Sequence, residues 1–249
     1  MAVWGSIYFY IDGVPAVTNF VVERTPTSVD KAVGRELRRE ILRSASIDEE
    51  KTELLTEFYA ELGYDTNTNV YVVRANEFNA FALTDNSIFV FDQVLKEVKS
   101  YPELAALLGH EYIHIKNRHG MKTLAHSLSR ELLTAILSGG DNSDKFVSNA
   151  NKLLTLKNSR DFETEADKGG LDFLFQNHID FNGMTELIKR MGKISAGKSV
   201  PAYLSTHPDS EDRLETIEEE IKDKQNNYVH SDKLDNLFQQ LTIFNNYNY

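Results

Sequence analysis

Residues 101–120 read Tyr-Pro-Glu-Leu-Ala-Ala-Leu-Leu-Gly-His-Glu-Tyr-Ile-His-Ile-Lys-Asn-Arg-His-Gly, and this stretch decides how the chain folds. Pro102 stands where a first-turn proline belongs and Gly120 where a C-terminal cap belongs, which predicts a helix over 102–119. Leu104 to Gly109 is almost wholly apolar, so the helix is expected to be buried. His110 and His114 are four residues apart and project from nearly the same face, one turn apart. Two imidazoles so placed can grip one tetrahedral ion, and Glu111 projects beside them, towards a water at the ion rather than the ion itself. Burying two histidines and a glutamate is costly unless they are paired or hold a metal. The alternative is a pair of neutral core histidines with Glu111 in a salt bridge. His119 lies five residues beyond His114, about 140° around a straight helix. It is expected to sit at the helix end, near the C-terminal dipole, and not to join the site.

Working outward, a chain of 249 residues suffices for one large domain with a sizeable core. Hydrophobic residues at 41% and charged residues at 26% exclude wholesale disorder. The net charge of −11, with no dense Lys/Arg cluster, argues against a nucleic-acid partner. The absence of cysteine removes disulfides, thiolate zinc fingers, cysteine nucleophiles and iron–sulfur clusters.

Upstream, residues 29–62 read as one or two helices, with Ser28 or Asp30 capping the first and Ser46 with Glu49 forming a capping box for the second. Residues 69–74, 79–84 and 87–91 read as strands, the last two joined in a hairpin at Asp85-Asn86. Helices are expected at 92–99, 121–138, 144–157, 159–177, 184–193 and 209–225. The fold class is α+β, mostly helical, with a small β-sheet beside the metal-binding helix. Three regions are expected: an N-terminal segment over 1–28, the main domain over 29–225 and a C-terminal tail over 226–249. Trp4, Tyr8, Phe9, Tyr10 and Phe20 suit an interfacial belt, so residues 2–22 read either as a packed terminal element or as a juxtamembrane segment preceded by a spanning one. No apolar run here reaches the ~18 residues of a span, and the first basic residue is Arg24, so the charged start of a signal peptide is missing.

A catalytic zinc needs a third protein ligand and an open position. The acidic helix from Ser159 to Asp167 offers two carboxylate pairs at helical spacing, Glu163 with Asp167 and Asp161 with Glu165. Spacing does not choose between them.

Taken together, His110–His114, the Ser159–Asp167 stretch and Thr206-His207-Pro208 with Arg213 resemble the HtpX-like and CAAX-prenyl-endopeptidase-like family of zinc metallopeptidases, in the gluzincin group. The resemblance covers roughly residues 50 to 220. Ser159, Arg160, Glu163, Ala166 and Asp167 match its second motif, SRxxExxAD. It implies a zincin-like metallopeptidase domain with one Zn²⁺, in which Glu163 is the third ligand and Asp167 orients a ligating histidine from behind. It also implies that residues 79–84 form an edge strand above the site, where Asn79, Ala80, Phe81 and Ala82 bind substrate. The family usually has a glycine pair at the following turn, and this chain has Asp85-Asn86.

The expected activity is hydrolysis of protein or peptide substrates by a zinc-dependent endopeptidase, in protein quality control at the cell envelope. Glu111 serves as the proton shuttle, and His207 or Tyr203 as oxyanion donor. The alternative is a catalytically silent zinc-binding interaction protein; for location, it is the cytoplasm. Because Pro208 pushes the residue before it into an extended conformation, His207 is expected to project from a loop. It would reach the site as an oxyanion donor or as a reversible fourth ligand, unless it only caps the next helix at the surface. Arg213 is expected to anchor that loop by pairing with Asp167 or Glu211.

Overall fold

The helix that carries His110 is buried on all sides from Tyr101 through Glu111, and the rest of the molecule is arranged around it. The computed structural model describes residue 19 and residues 22–65, 67–127, 156–195, 202–207 and 211–243. In chain order the elements are α1 (Thr27–Ser44), α2 (Glu49–Glu61), β1 (Asn69–Val73), β2 (Ala80–Leu83), β3 (Ser87–Phe91), α3 (Asp92–Glu97) and α4 (Tyr101–Lys116). There follow α5 (His119–Ser127), α6 (Arg160–Gln176), α7 (Asn182–Ser195), α8 (Ala202–Thr206), α9 (Glu211–Ile221) and α10 (Asp232–Thr242). The fold is α+β and mostly helical. No described helix is long and apolar enough to cross a membrane. The aromatic residues of the expected belt, and most of the expected helices over 121–138 and 144–157, lie outside the described residues.

Several local expectations shift. Ser100 caps α4 by accepting from the Glu103 N–H, with Pro102 in the first turn. The helix ends at Lys116, three residues short of the expected stop, and Gly120 is not its cap. Gly120 lies in α5, where a β-carbon would come within 3.0 Å of the Thr84 methyl. Asp48 rather than Ser46 caps α2, accepting from Lys51 N–H. Pro26 precedes α1 with no side-chain cap, and Asp30 instead binds Arg118 through two hydrogen bonds of 2.7 Å. Residues 226–249, expected as a tail, contribute α10, which buries Leu234, Leu237, Phe238 and Leu241 in the main core.

The sheet has the order β1-β3-β2, with β1 parallel and β2 antiparallel to the central β3. Asn86 takes a left-handed φ of 67° in the β2–β3 turn, a conformation asparagine tolerates, so the turn needs no glycine pair. β2 is an edge strand. Its register decides which backbone groups are spare. Phe91 N–H donates to Asn79 C=O, so the pairs 79/91, 81/89 and 83/87 exchange hydrogen bonds. The N–H and C=O groups of Ala80 and Ala82 therefore point away from β3; Ala80 is fully buried, and Ala82 is the one that reaches the cleft, with no backbone partner on that side among the described residues. One turn earlier on that side, the Phe78 carbonyl accepts from Tyr203 N–H of α8.

Two glycines set the distance between the helices that build the site. A β-carbon on Gly109 of α4 would lie 3.3 Å from Gly170 Cα of α6, and one on Gly170 would lie 3.1 Å from His110 N. Gly170 follows Glu163 and Asp167 at seven and three residues, on the same helix face. The close approach at Gly170 thus brings both carboxylates against His110.

Candidate metal centre

Four buried side chains from three elements converge on one point. α4 supplies His110 and His114, α6 supplies Glu163, and His207 follows α8 directly. Their donor atoms all lie within 4.8 Å of one another. His114 Nε2 is 3.0 Å from His110 Nε2, and His207 Nδ1 is 3.3 Å from His110 Nε2 and 3.0 Å from Glu163 Oε1. Glu163 oxygens lie 3.5 Å from the Nε2 atoms of both His110 and His114. Ligands held about 2.0–2.1 Å from a tetrahedral zinc lie about 3.3 Å from one another. The spacing and the imidazole–carboxylate chemistry both fit that ion.

The pair Glu163/Asp167, not Asp161/Glu165, faces His110. Asp161 is exposed, and Glu165 points to Asn117 and His119. Asp167 accepts from His110 Nδ1 at 2.9 Å and takes both Nε (2.7 Å) and Nη2 (2.8 Å) of Arg213. Burial would raise the Asp167 pKa, but the Arg213 guanidinium and His110 together outweigh it and hold the carboxyl below its usual range. Burial likewise opposes charge on His110, yet the Asp167 and Glu163 carboxylates lift its pKa to about 10. For His114, burial outweighs the support of the Glu163 carboxylate and, with the neighbouring imidazoles, pulls it well below the usual imidazole value.

Glu111 is wholly buried, and neither of its oxygens has a hydrogen-bond partner among the described residues. His207 Nε2 is 3.7 Å away. Burial raises the Glu111 pKa. An unpartnered buried carboxylate is expensive, and its position beside the cluster makes it the group that can take a proton there.

His207 departs from expectation in its local structure. It does not project from an open loop: its N–H donates to Tyr203 C=O at 2.8 Å, closing the last turn of α8, and its ring stacks on Tyr203 at 4.4 Å. Pro208 lies outside the described residues. Arg213 binds Asp167, as one of the two expected partners. Asn79, Phe81 and Ala82 line the cleft in front of Glu111 and His207, while the Ala80 side chain is fully buried in the core. His119, expected at the helix end and outside the ligand set, is absent from the donor cluster but is buried with its Nδ1 against that of His114, a contact the expectation did not include. A break in α4 moves it there, and spacing on an ideal helix cannot reveal that.

A histidine pair on one helix with a glutamate from a second is the arrangement expected of a zinc metallopeptidase of the gluzincin type. The chain belongs to peptidase family M48, whose pattern matches residues 43–221. M48 metalloproteases are zinc-dependent, and His110, His114, Glu163 and His207 form a cluster that could hold such an ion. The mitochondrial metalloendopeptidase OMA1 of Schizosaccharomyces pombe is 34% identical over 65% of this chain and 49% of its own length. The metalloprotease LoiP of Escherichia coli is 26% identical over 71% of this chain and 73% of its own length. A putative beta-barrel assembly-enhancing protease of Vibrio cholerae is 26% identical over 58% of this chain and 32% of its own length. The chain spans about half or less of the length of its OMA1 relatives.

Proposed function

We propose that this chain is a zinc-dependent endopeptidase that cleaves protein substrates laid along β2, in protein quality control at a membrane or cell envelope. The observation that carries the activity is Glu111, a buried carboxylate without a partner at the edge of a three-histidine, one-glutamate cluster. His110, His114 and Glu163 would hold the ion, which supplies Lewis acidity to a water and to the scissile carbonyl. Glu111 accepts the attacking water's proton and delivers one to the leaving amine. Asp167, locked by Arg213, keeps His110 Nδ1 protonated and its Nε2 turned inward. Tyr203 is fully buried with its hydroxyl beside the Glu111 carboxylate, a donor available to the oxyanion. The location draws on the names of the relatives, one mitochondrial and one linked to beta-barrel assembly. One zinc per chain, and casein cleavage lost to a chelator and restored by zinc, is the expected result. Cleavage that ignores the chelator would overturn the reading.

Substrate docking by strand addition makes a separate prediction. Ala82 N–H faces the free edge, so Ala82→Pro removes a donor to the substrate without breaking the ladder to β3. One lost hydrogen bond of about 1 kcal/mol corresponds to a rise in KM of about fivefold, with kcat little changed. An unchanged KM for an extended peptide would show that the substrate does not pair there.

A further inference from the structure

His119 lies behind the metal cluster, outside the set assigned to zinc or to catalysis. α4 stops at Lys116, Arg118 takes a left-handed φ of 58°, and α5 starts at His119. In an unbroken helix residue 119 would point about 140° away from residue 114. The reversal turns it back, so that His119 Nδ1 lies 2.9 Å from His114 Nδ1. Its Nε2 lies 3.1 Å from Glu165 Oε2, an oxygen that also accepts from Asn117 Nδ2 at 3.2 Å. The ring stacks on Phe162 at 4.4 Å with only 10° between planes. The paired hydrogen bonds from Arg118 to Asp30 hold the reversal in place.

Two Nδ1 atoms at this distance share one proton, and its owner follows from the far side of each ring. His114 Nε2 faces His110 Nε2 and Glu163. A nitrogen offered to a metal carries no proton, so the His114 proton sits on Nδ1 and is donated to His119 Nδ1. The His119 proton is then on Nε2 and is donated to the Glu165 carboxylate. We propose that Glu165 and His119 form a positioning relay that fixes the tautomer and ring angle of His114 and so strengthens the hold on zinc. The proposal rests on the reading of His114 as a zinc ligand. The two imidazoles of α4 are then backed unequally. His110 leans directly on Asp167, which is buried and clamped by Arg213. His114 leans through a second imidazole on a carboxylate whose side chain is 52% exposed.

The test is the zinc dissociation constant of the full chain, measured by competition with a chelator of known affinity, for His119→Phe, Glu165→Ala, Glu165→Gln and the His119→Phe/Glu165→Ala pair. Phenylalanine keeps the stack on Phe162 and removes both nitrogens. His119→Phe should weaken zinc binding by about 10–100-fold, the usual cost of losing such a partner. Glu165→Ala should weaken it less, Glu165→Gln should fall between wild type and Glu165→Ala, and the double variant should bind no worse than His119→Phe because the two residues act in series. Long-range ¹H–¹⁵N NMR of the zinc-loaded wild type should place the His114 proton on Nδ1. A purely structural role would lower the melting temperature of the zinc-free variants and leave zinc affinity alone. Should His119→Phe fail to fold, the Glu165 variants, at a half-exposed position, carry the test. Zinc affinity unchanged in the Glu165 variants and in any folded His119→Phe would overturn the relay. His114→Ala and Glu163→Ala separate the two levels: if they keep zinc, the assignment of the centre fails; if they lose it while the relay variants do not, only the relay fails.

Discussion

Glu111→Gln should bind zinc as wild type does and lose about 10²–10⁴-fold in peptide hydrolysis. The substitution is nearly isosteric and leaves His110, His114, Glu163 and His207 in place, so the donor set keeps its spacing. What disappears is the one buried carboxylate at the site without a hydrogen-bond partner among the described residues. Glutamine can accept a hydrogen bond from water but cannot take its proton. It also removes an unpartnered buried charge, so the variant should melt no lower than wild type. Zinc content, melting temperature and chelator-sensitive casein cleavage together make the check. Activity within about tenfold of wild type would remove Glu111 from the proton path.

His207→Ala should raise basal hydrolysis. His207 rests inside the donor cluster, its Nδ1 bonded to Glu163 and close to His110, and its ring is pinned by Tyr203. That placement favours a reversible fourth ligand over an oxyanion donor, because Nδ1 lies within the donor set itself, 3.0 Å from Glu163 and 3.3 Å from His110. If the open arrangement is a minor state of about 0.1–10%, removing the imidazole should raise the rate about tenfold or more. A fall of about 10²–10³-fold would assign the opposite role, a donor to the oxyanion. Tyr203→Phe is the companion measurement, since only the donor role passes to that hydroxyl.

The helix pair and the core of the site were legible because they rest on helical period alone. His110 with His114 and Glu163 with Asp167 are both spaced by four, and α-helices honour that spacing wherever they occur. The choice of Glu163 over Glu165 was not legible from spacing and came from the motif resemblance; physically it depends on Gly109 and Gly170, whose missing side chains decide how α6 lies on α4. The contact of His119 with His114 was not legible because one left-handed residue, Arg118, redirects everything after it, and nothing in the identity of an arginine announces that conformation. The fourth histidine was expected near the site but on an open loop. Its short helix, α8, is too brief to show a periodic pattern. α10 was legible in principle: Leu234, Leu237, Phe238 and Leu241 follow the i, i+3, i+4, i+7 pattern of an amphipathic helix, and Ser231 caps it.

Under the proposed peptidase activity, the free edge of β2 at Ala82 would bear on which proteins can be cleaved. Its accessible spare groups, at Ala82, can pair only with a backbone that brings no partners of its own. A segment inside a native helix or sheet has already satisfied its N–H and C=O groups and would have to break them to dock. A damaged or unassembled chain has them open. If substrates dock there as proposed, such an edge would sort polypeptides by conformational state before any side chain is read, and telling sound from failed proteins would need no recognition sequence.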